Sequence, residues 1–131
     1  MNIKRFFMEF NDRFMHPDNT MSKYEGRDPK VSKTETERRR ASLPLVERAS
    51  KYWCMKNDIE PPEILIKGSC SIGVCTHESD LDLAIVVEPK HPLATEGNLW
   101  TEYKENIENS VKTGFNIEAR LITDRRNKLQ P

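Results

Sequence analysis

The hydrophobic residues of this chain fall into short segments whose spacing changes along the sequence. Apolar residues recur every three or four positions over 2–15, which predicts an amphipathic helix. The stretch 16–40 is polar and lacks this period, so we expect a loop that runs into helix near Thr34. A second amphipathic helix is predicted to open at 42–44, because proline is tolerated in a first helical turn. The residues on its predicted core-facing side are Leu45, Val46, Ala49, Tyr52, Trp53 and, at its end, Lys56.

The second half of the chain alternates between strand and helix patterns. Apolar residues at 63–67 and 81–87 predict two strands separated by a loop. Four-residue spacing of apolar side chains predicts a helix over 95–113, with Gly114 as its C-terminal stop. Apolar and more polar residues alternate over 115–123, which predicts a third strand. This order predicts an α/β (α+β) fold, a small mixed sheet of three or more strands with helices packed on one face and a cleft on the other.

Size and charge favour one domain with a local site. The 131 residues fit one compact domain over 1–131, with a helical N-terminal part at 1–60 and a core at 61–124 that contains the candidate site. Basic and acidic residues both total 21, so the formal net charge is zero and a broadly basic nucleic-acid binder is excluded. The most basic spot, 37–40, is interpreted as a solvated helix face, with a phosphate or partner contact as the alternative.

The cysteines and the hydropathy indicate the setting of the protein. Three cysteines are an odd number in a chain whose first residues do not form a secretory signal, so we expect a reduced, cytoplasmic protein. No apolar run approaches the roughly 20 residues of a membrane span, so no membrane partner is expected. Cys70, Cys75 and His77 lack a fourth ligand and zinc spacing, which favours buried or loop thiols and a solvent-facing histidine. Trp53 and Trp100 are expected to be core residues on helix faces.

The residues that indicate chemistry lie between the first two strands. The first strand runs into Gly68-Ser69, where a glycine lets an anion approach the backbone and a hydroxyl and free amides can bind phosphate oxygens. The second strand opens with Asp80-Leu81-Asp82. Because strand side chains alternate, both carboxylates project from the same face, where they can converge on Mg²⁺.

This arrangement resembles the signature of the nucleotidyltransferase superfamily typified by DNA polymerase beta, and it is most similar to the minimal nucleotidyltransferases of prokaryotes. The resemblance covers about residues 63–123 and excludes the first sixty. It implies transfer of a nucleoside monophosphate from NTP, such as ATP, to a hydroxyl acceptor, with two Mg²⁺ ions as cofactors. The implied catalytic and metal-binding residues are Asp80, Asp82 and, as the third carboxylate, Glu118, with Asp124 as a weaker rival. The matching positions are Gly68-Ser69, Gly73 and Ser79-Asp80-Leu81-Asp82-Leu83.

The chain departs from the family pattern at two positions. Many members have Asp where Glu118 stands, and minimal members usually carry a basic residue where Ile72 stands. Triphosphate binding would then depend on Lys67, on backbone amides or on Arg120. The residues implied to bind the nucleotide are Gly68, Ser69, Lys67, Ser79 and Arg120.

Several functional hypotheses stay open at this point. The acceptor could be a protein side chain or a nucleic-acid end, and minimal relatives imply a protein target. The departures at 72 and 118 favour an alternative, a catalytically weak binding or regulatory module. A third hypothesis is an unrelated domain whose Asp-x-Asp binds calcium structurally. Sheet edges would need covering by the N-terminal helix, a second copy of the chain or a partner protein.

Overall fold

A computed structural model describes residues 26–124 of the chain. The helix predicted over 2–15 and the tail after 124 lie outside the described residues. No helix within 26–124 combines the length and apolar character needed to cross a membrane. In chain order the elements are α1 (Pro29–Arg40), α2 (Leu43–Lys56), β1 (Glu63–Lys67), α3 (Ser69–Ile72), β2 (Leu81–Val87), α4 (Pro92–Thr95), α5 (Gly97–Glu108) and β3 (Ile117–Thr123).

The three strands form one mixed sheet in the order β1-β2-β3. β1 pairs with β2 in antiparallel orientation, and β2 pairs with β3 in parallel orientation. Parallel neighbours need a long crossover, which α4 and α5 supply. The predicted strands at 63–67 and 81–87 match β1 and β2, and the fold-class prediction is confirmed.

One face of the sheet packs with α2 and α5 to form the hydrophobic core. The inward-pointing residues of β2 are at most 4% exposed, as alternation along the strand predicts. Tyr103 of α5 is fully buried, and the rings of Trp53 and Trp100 lie 5.4 and 5.9 Å from its ring centroid. Both tryptophans are partly buried and pack against the core, so they lie at its margin. The side chains of the acidic motif point away from this core.

Helix α1 begins at Pro29, five residues before the helix expected near Thr34, so the loop predicted over 16–40 is wrong for residues 29–33. The part of this predicted loop before residue 26 lies outside the described residues. The helix begins at Pro29, where the Asp28 carboxylate caps it by accepting a hydrogen bond from the Lys30 amide at 2.8 Å. Its buried side is polar, so it has no hydrophobic period for a sequence pattern to detect. The buried residues of α1 are Ser32, Glu35, Thr36 and Arg39.

The buried stripe of α2 also differs from the prediction. Val46 and Ser50 face the core, whereas Leu45 and Tyr52 are 48% and 57% exposed, so their predicted burial is wrong. Ser50 is buried because its hydroxyl shares a 2.7 Å hydrogen bond with the Tyr103 hydroxyl. This polar contact rotates the buried side of the helix towards the serine and away from the two exposed residues.

The helix predicted over 95–113 is shorter than expected. It corresponds to α5, which runs from Gly97 to Glu108 after the short helix α4 ends at Thr95, so Gly114 is not its C-terminal stop. Gly114 serves close packing instead, because a Cβ there would lie 2.6 Å from the Arg38 Nη2 atom. β3 begins at Ile117, two residues later than predicted.

Candidate functional site

The sheet topology brings the acidic motif and the predicted third carboxylate to one edge. β1 is antiparallel to β2, so the last residue of β1 lies beside the start of β2, and β3 is parallel to β2 and begins at the same edge. The register aligns Lys67 with Asp82, and Asp82 with Glu118. Residues that are paired across neighbouring strands point to the same face. These three side chains therefore form one row on the face opposite the core.

The three carboxylates form a compact cluster. Asp80, Asp82 and Glu118 each offer an oxygen, and these oxygens lie within 4.8 Å of one another. Within residues 26–124, this is the only set of three or more His, Cys, Asp or Glu side chains close enough to share a metal ion. The rival Asp124 donates its amide to the Val87 carbonyl at 2.9 Å, which places it at the far end of β2.

The cluster concentrates negative charge that the protein itself relieves only in part. Burial raises the pKa of Asp82, and the neighbouring charges of Glu118 and Asp80 raise it further, while Arg120 opposes the shift. The structure thus places the predicted Arg120 close enough to act on the cluster. Oxygen ligands at this spacing and charge suit a hard divalent cation.

Gly68 is required at the end of β1 for two reasons. Its φ of 67° and ψ of −151° lie in a region that only glycine adopts readily. A Cβ on this residue would also lie 2.7 Å from the Asp82 Oδ2 atom. The chain at the predicted phosphate turn therefore passes directly against the carboxylate cluster.

Hydrogen bonds fix the turn that follows. Ser69 begins the four-residue helix α3, and the Ser71 hydroxyl donates to the Gly68 carbonyl at 2.7 Å. Gly73 ends this helix with a left-handed φ of 84°. The hydroxyl of the predicted site residue Ser79 accepts a hydrogen bond from the Thr76 amide at 2.8 Å, and so shapes the bend that leads into β2.

The turn after Gly68 is held by a cation from α1, while residue 72 packs towards the interior. The Ile72 side chain is 8% exposed and packs inward. A cation comes to the same turn from α1, where the Arg40 guanidinium donates to the carbonyls of Cys70 and Ser71 at 2.7 and 3.0 Å. Lys67 is half-buried in the row that contains Asp82.

Sequence reasoning missed the role of Arg39. The stretch 37–40 was expected to be a solvated face, but Arg39 is 0% exposed, so this interpretation is wrong for that residue. Its guanidinium donates to the Ser79 carbonyl at 2.8 Å and to the Glu35 side chain and backbone. The Glu35–Arg39 spacing is visible in the sequence, but an ion pair at i and i+4 is typical of an exposed helix surface.

Cys70, Cys75 and His77 do not form a metal-binding group among the described residues. Cys70 and Cys75 are fully buried with their sulfurs 2.8 Å apart, in agreement with the prediction of buried thiols. His77 is 73% exposed, as predicted, and its Nδ1 lies 2.9 Å from a Glu35 carboxylate oxygen.

Two clefts flank the loop from Gly68 to Asp80 that joins β1 to β2, which we call the site loop. A polar cleft of about 380 Å³ opens beside Asp80, between the segments 77–80 and 113–116. A second cleft of about 400 Å³ lies between α1 and Gly73-Val74 and contains none of the three carboxylates. The chemistry of the cluster therefore favours the first cleft as the approach for a ligand.

No family model, curated protein or solved structure matches this chain. The resemblance to nucleotidyltransferases therefore rests on two short motifs, Gly68-Ser69 and Asp80-Leu81-Asp82. To these the structure adds a third carboxylate, Glu118, at the same edge of the sheet.

Proposed function

We propose that this protein is a Mg²⁺-dependent nucleotidyltransferase that transfers a nucleoside monophosphate from NTP to a hydroxyl acceptor. The observation that carries the proposal is the gathering of Asp80, Asp82 and Glu118 directly beside Gly68. These are the positions at which the superfamily signature has its carboxylates and its triphosphate turn. Carboxylates able to bind a cation and a glycine turn able to approach a phosphate thus lie at one edge of the sheet, which supports the proposal.

The residues present suit two magnesium ions. Three carboxylate oxygens within 4.8 Å, one of them with a raised pKa, form a site whose charge a cation would relieve. Asp80 and Asp82 would hold the ions, and Glu118 would supply the third carboxylate ligand. Bound ions of this kind activate the acceptor hydroxyl and neutralise charge on the leaving pyrophosphate.

The side chains around the cluster supply the other functions that the reaction needs. The acceptor oxygen bonds to the α-phosphorus, the bond from that phosphorus to pyrophosphate breaks, and the hydroxyl loses its proton. Glu118 is the exposed member of the cluster and can accept this proton. The turn at Gly68-Ser69 positions the triphosphate, with Lys67 and Arg120 as the nearby cations.

A protein hydroxyl is the acceptor class we favour over a nucleic-acid end. The net charge of the chain is zero, and the cleft beside the cluster is lined by Glu78 and Asp80 as well as His77. A long polyanion would be repelled by these carboxylates, whereas a neutral side chain would not. A reduced, cytoplasmic setting is part of the proposal, and its support is the odd number of cysteines, three.

The test is calorimetric binding of each NTP with and without Mg²⁺. We expect Mg²⁺-dependent binding by the native chain, and loss of binding by Asp80→Ala/Asp82→Ala. Glu47→Ala is the matched control, because this exposed carboxylate lies on α2, outside the cluster and away from the cleft beside it. Absence of binding by folded native protein at millimolar NTP would overturn the proposal.

The alternative function is a catalytically weak binding or regulatory module. The inward packing of Ile72 favours it, because no cation can project from this position towards a triphosphate. Mg²⁺-dependent NTP binding without release of pyrophosphate, assayed with candidate acceptor proteins, would select this alternative. Metal binding without nucleotide affinity would instead select a structural calcium site.

A further inference from the structure

The geometry points to Arg39 and Arg40, neighbours on α1, as positioning residues that hold the two halves of the site loop. This inference rests on the proposed function for its consequence, but its structural part can be tested separately. Helix α1 lies outside the stretch that resembles nucleotidyltransferases. It nevertheless makes the long-range hydrogen bonds that fix the loop between β1 and β2.

Arg39 holds the half of the loop that carries the first aspartate. Its Nε donates to the carbonyl of Ser79, the residue before Asp80, and its Nη2 donates to the carbonyl of His77 at 3.3 Å. The guanidinium carbon also lies 4.6 Å from the centroid of the Phe115 ring. Phe115 precedes β3, which carries Glu118. One buried cation therefore contacts both segments that lead to the clustered carboxylates.

Arg40 and two other side chains hold the remainder of the loop. Arg40 donates to the carbonyls of Cys70 and Ser71, in the turn after Gly68-Ser69. The Thr36 hydroxyl of α1 accepts a hydrogen bond from the Cys75 amide at 3.2 Å, and Arg27 donates to the carbonyl of the preceding residue, Val74. The loop is thus bonded to this helix and its approach from its first turn to its last residue.

Arg39 acts on the cluster by holding the loop in place through hydrogen bonds and not by neutralising the charge of the carboxylates. Its guanidinium is paired with the buried Glu35 carboxylate, so its charge is largely compensated. The cation that counteracts the raised pKa of Asp82 is Arg120. A lysine at 39 would keep the charge but could not span two carbonyls and a carboxylate, because the planar fork of donors would be lost.

The test combines hydrogen exchange with Mn²⁺ binding. We expect Arg39→Lys to speed amide exchange at least tenfold in 76–82 and to weaken Mn²⁺ affinity about tenfold. Arg40→Lys should speed exchange in 69–73 and leave 76–82 unchanged. Lys33→Gln, which removes an exposed cation from the same helix, is the control and should change neither quantity.

The outcomes separate this inference from the proposed function. Unchanged exchange in the loop of Arg39→Lys, or faster exchange spread evenly over the sheet, would overturn the positioning role. If Arg39→Lys does not fold, Arg40→Lys tests the positioning role instead. Unchanged exchange in 69–73, or faster exchange spread evenly over the sheet, would then overturn it. Native protein that binds no Mn²⁺ at millimolar concentration would overturn the proposed metal site, while the exchange pattern would still judge the role of the arginines.

Discussion

Replacement of Asp82 by Asn should stabilise the metal-free protein at neutral pH. The carboxylate of Asp82 is partly buried and lies near those of Asp80 and Glu118, and these effects raise its pKa. A carboxyl whose pKa is higher in the folded than in the unfolded state destabilises the fold once it is ionised. The amide has nearly the same shape and carries no charge.

The expected gain follows from the spacing of the cluster. Two unit charges at 4.8 Å repel by about 1 kcal/mol in water and by about 3.5 kcal/mol at an effective dielectric constant near 20. Asp82 has two such neighbours, but the cluster faces solvent and Arg120 offsets part of the repulsion, so we take about 1–2 kcal/mol as the net gain. For 131 residues this corresponds to a rise in Tm of roughly 3–8 °C.

The pH dependence gives the sign of the effect independently. Below the ordinary pKa of an aspartate, native and variant proteins should be nearly equal in stability, because Asp82 is protonated in both the folded and the unfolded chain. As the pH rises through the raised pKa of the folded state, the native protein loses stability and the variant does not. The difference in Tm between Asp82→Asn and the native protein should therefore be near zero at acid pH and increase towards neutral pH.

Thermal unfolding in metal-free buffer from acid to neutral pH would measure this, with Glu78→Gln as the control for an exposed carboxylate in the same loop. Added Mg²⁺ should stabilise the native protein and leave Asp82→Asn unaffected, because only the native cluster gains from binding. A variant that is less stable than the native protein at neutral pH, or a gap that closes as the pH rises, would refute the reasoning.

Two further predictions concern the loop and its thiols. Gly68→Ala should lower the free energy of urea unfolding by about 3 kcal/mol, because the backbone there favours glycine and a Cβ would meet Asp82. Gly73→Ala should lower it by only about 1 kcal/mol, since a Cβ there meets nothing within 4 Å. Equal losses would contradict this account. The three cysteines are buried, and burial raises the pKa of Cys70. Ellman's reagent should therefore label none of them quickly in the native protein and all three in denaturant. Rapid labelling of the native protein would show that the loop opens.

The sheet and the carboxylate cluster could be predicted from the sequence because both follow from alternation. The apolar residues of β1 and β2 are continuous and bounded by turn residues, so their positions are fixed by pattern alone. Glu118 lies between Ile117 and Ala119, so burial of these two neighbours forces its side chain to the open face. The parallel register then places it beside Asp82.

The helices were predicted less well because their buried sides include polar residues. Ser50 takes a core position through its hydrogen bond to Tyr103. The buried side of α2 therefore differs from the apolar side that the sequence pattern predicted. In α1 the effect is larger, since Glu35 and Arg39 are buried through their bonds to each other and to the site loop. Hydrophobic periodicity cannot detect a helix face whose burial depends on hydrogen bonds.

Helix α1 and the loop between β1 and β2 depend on each other. The loop from Gly68 to Asp80 ends at a cluster of like charges, and its path includes two glycines with positive φ, so local preferences alone do not specify its conformation. Arg39 and Arg40 supply hydrogen bonds at fixed points along this path, and a guanidinium can hold several carbonyls at once. These bonds stabilise a loop conformation that the clustered charges of Asp80 and Asp82 disfavour. The motif within residues 63–123 therefore contains the clustered carboxylates, while α1 supplies hydrogen bonds to the loop that leads to them.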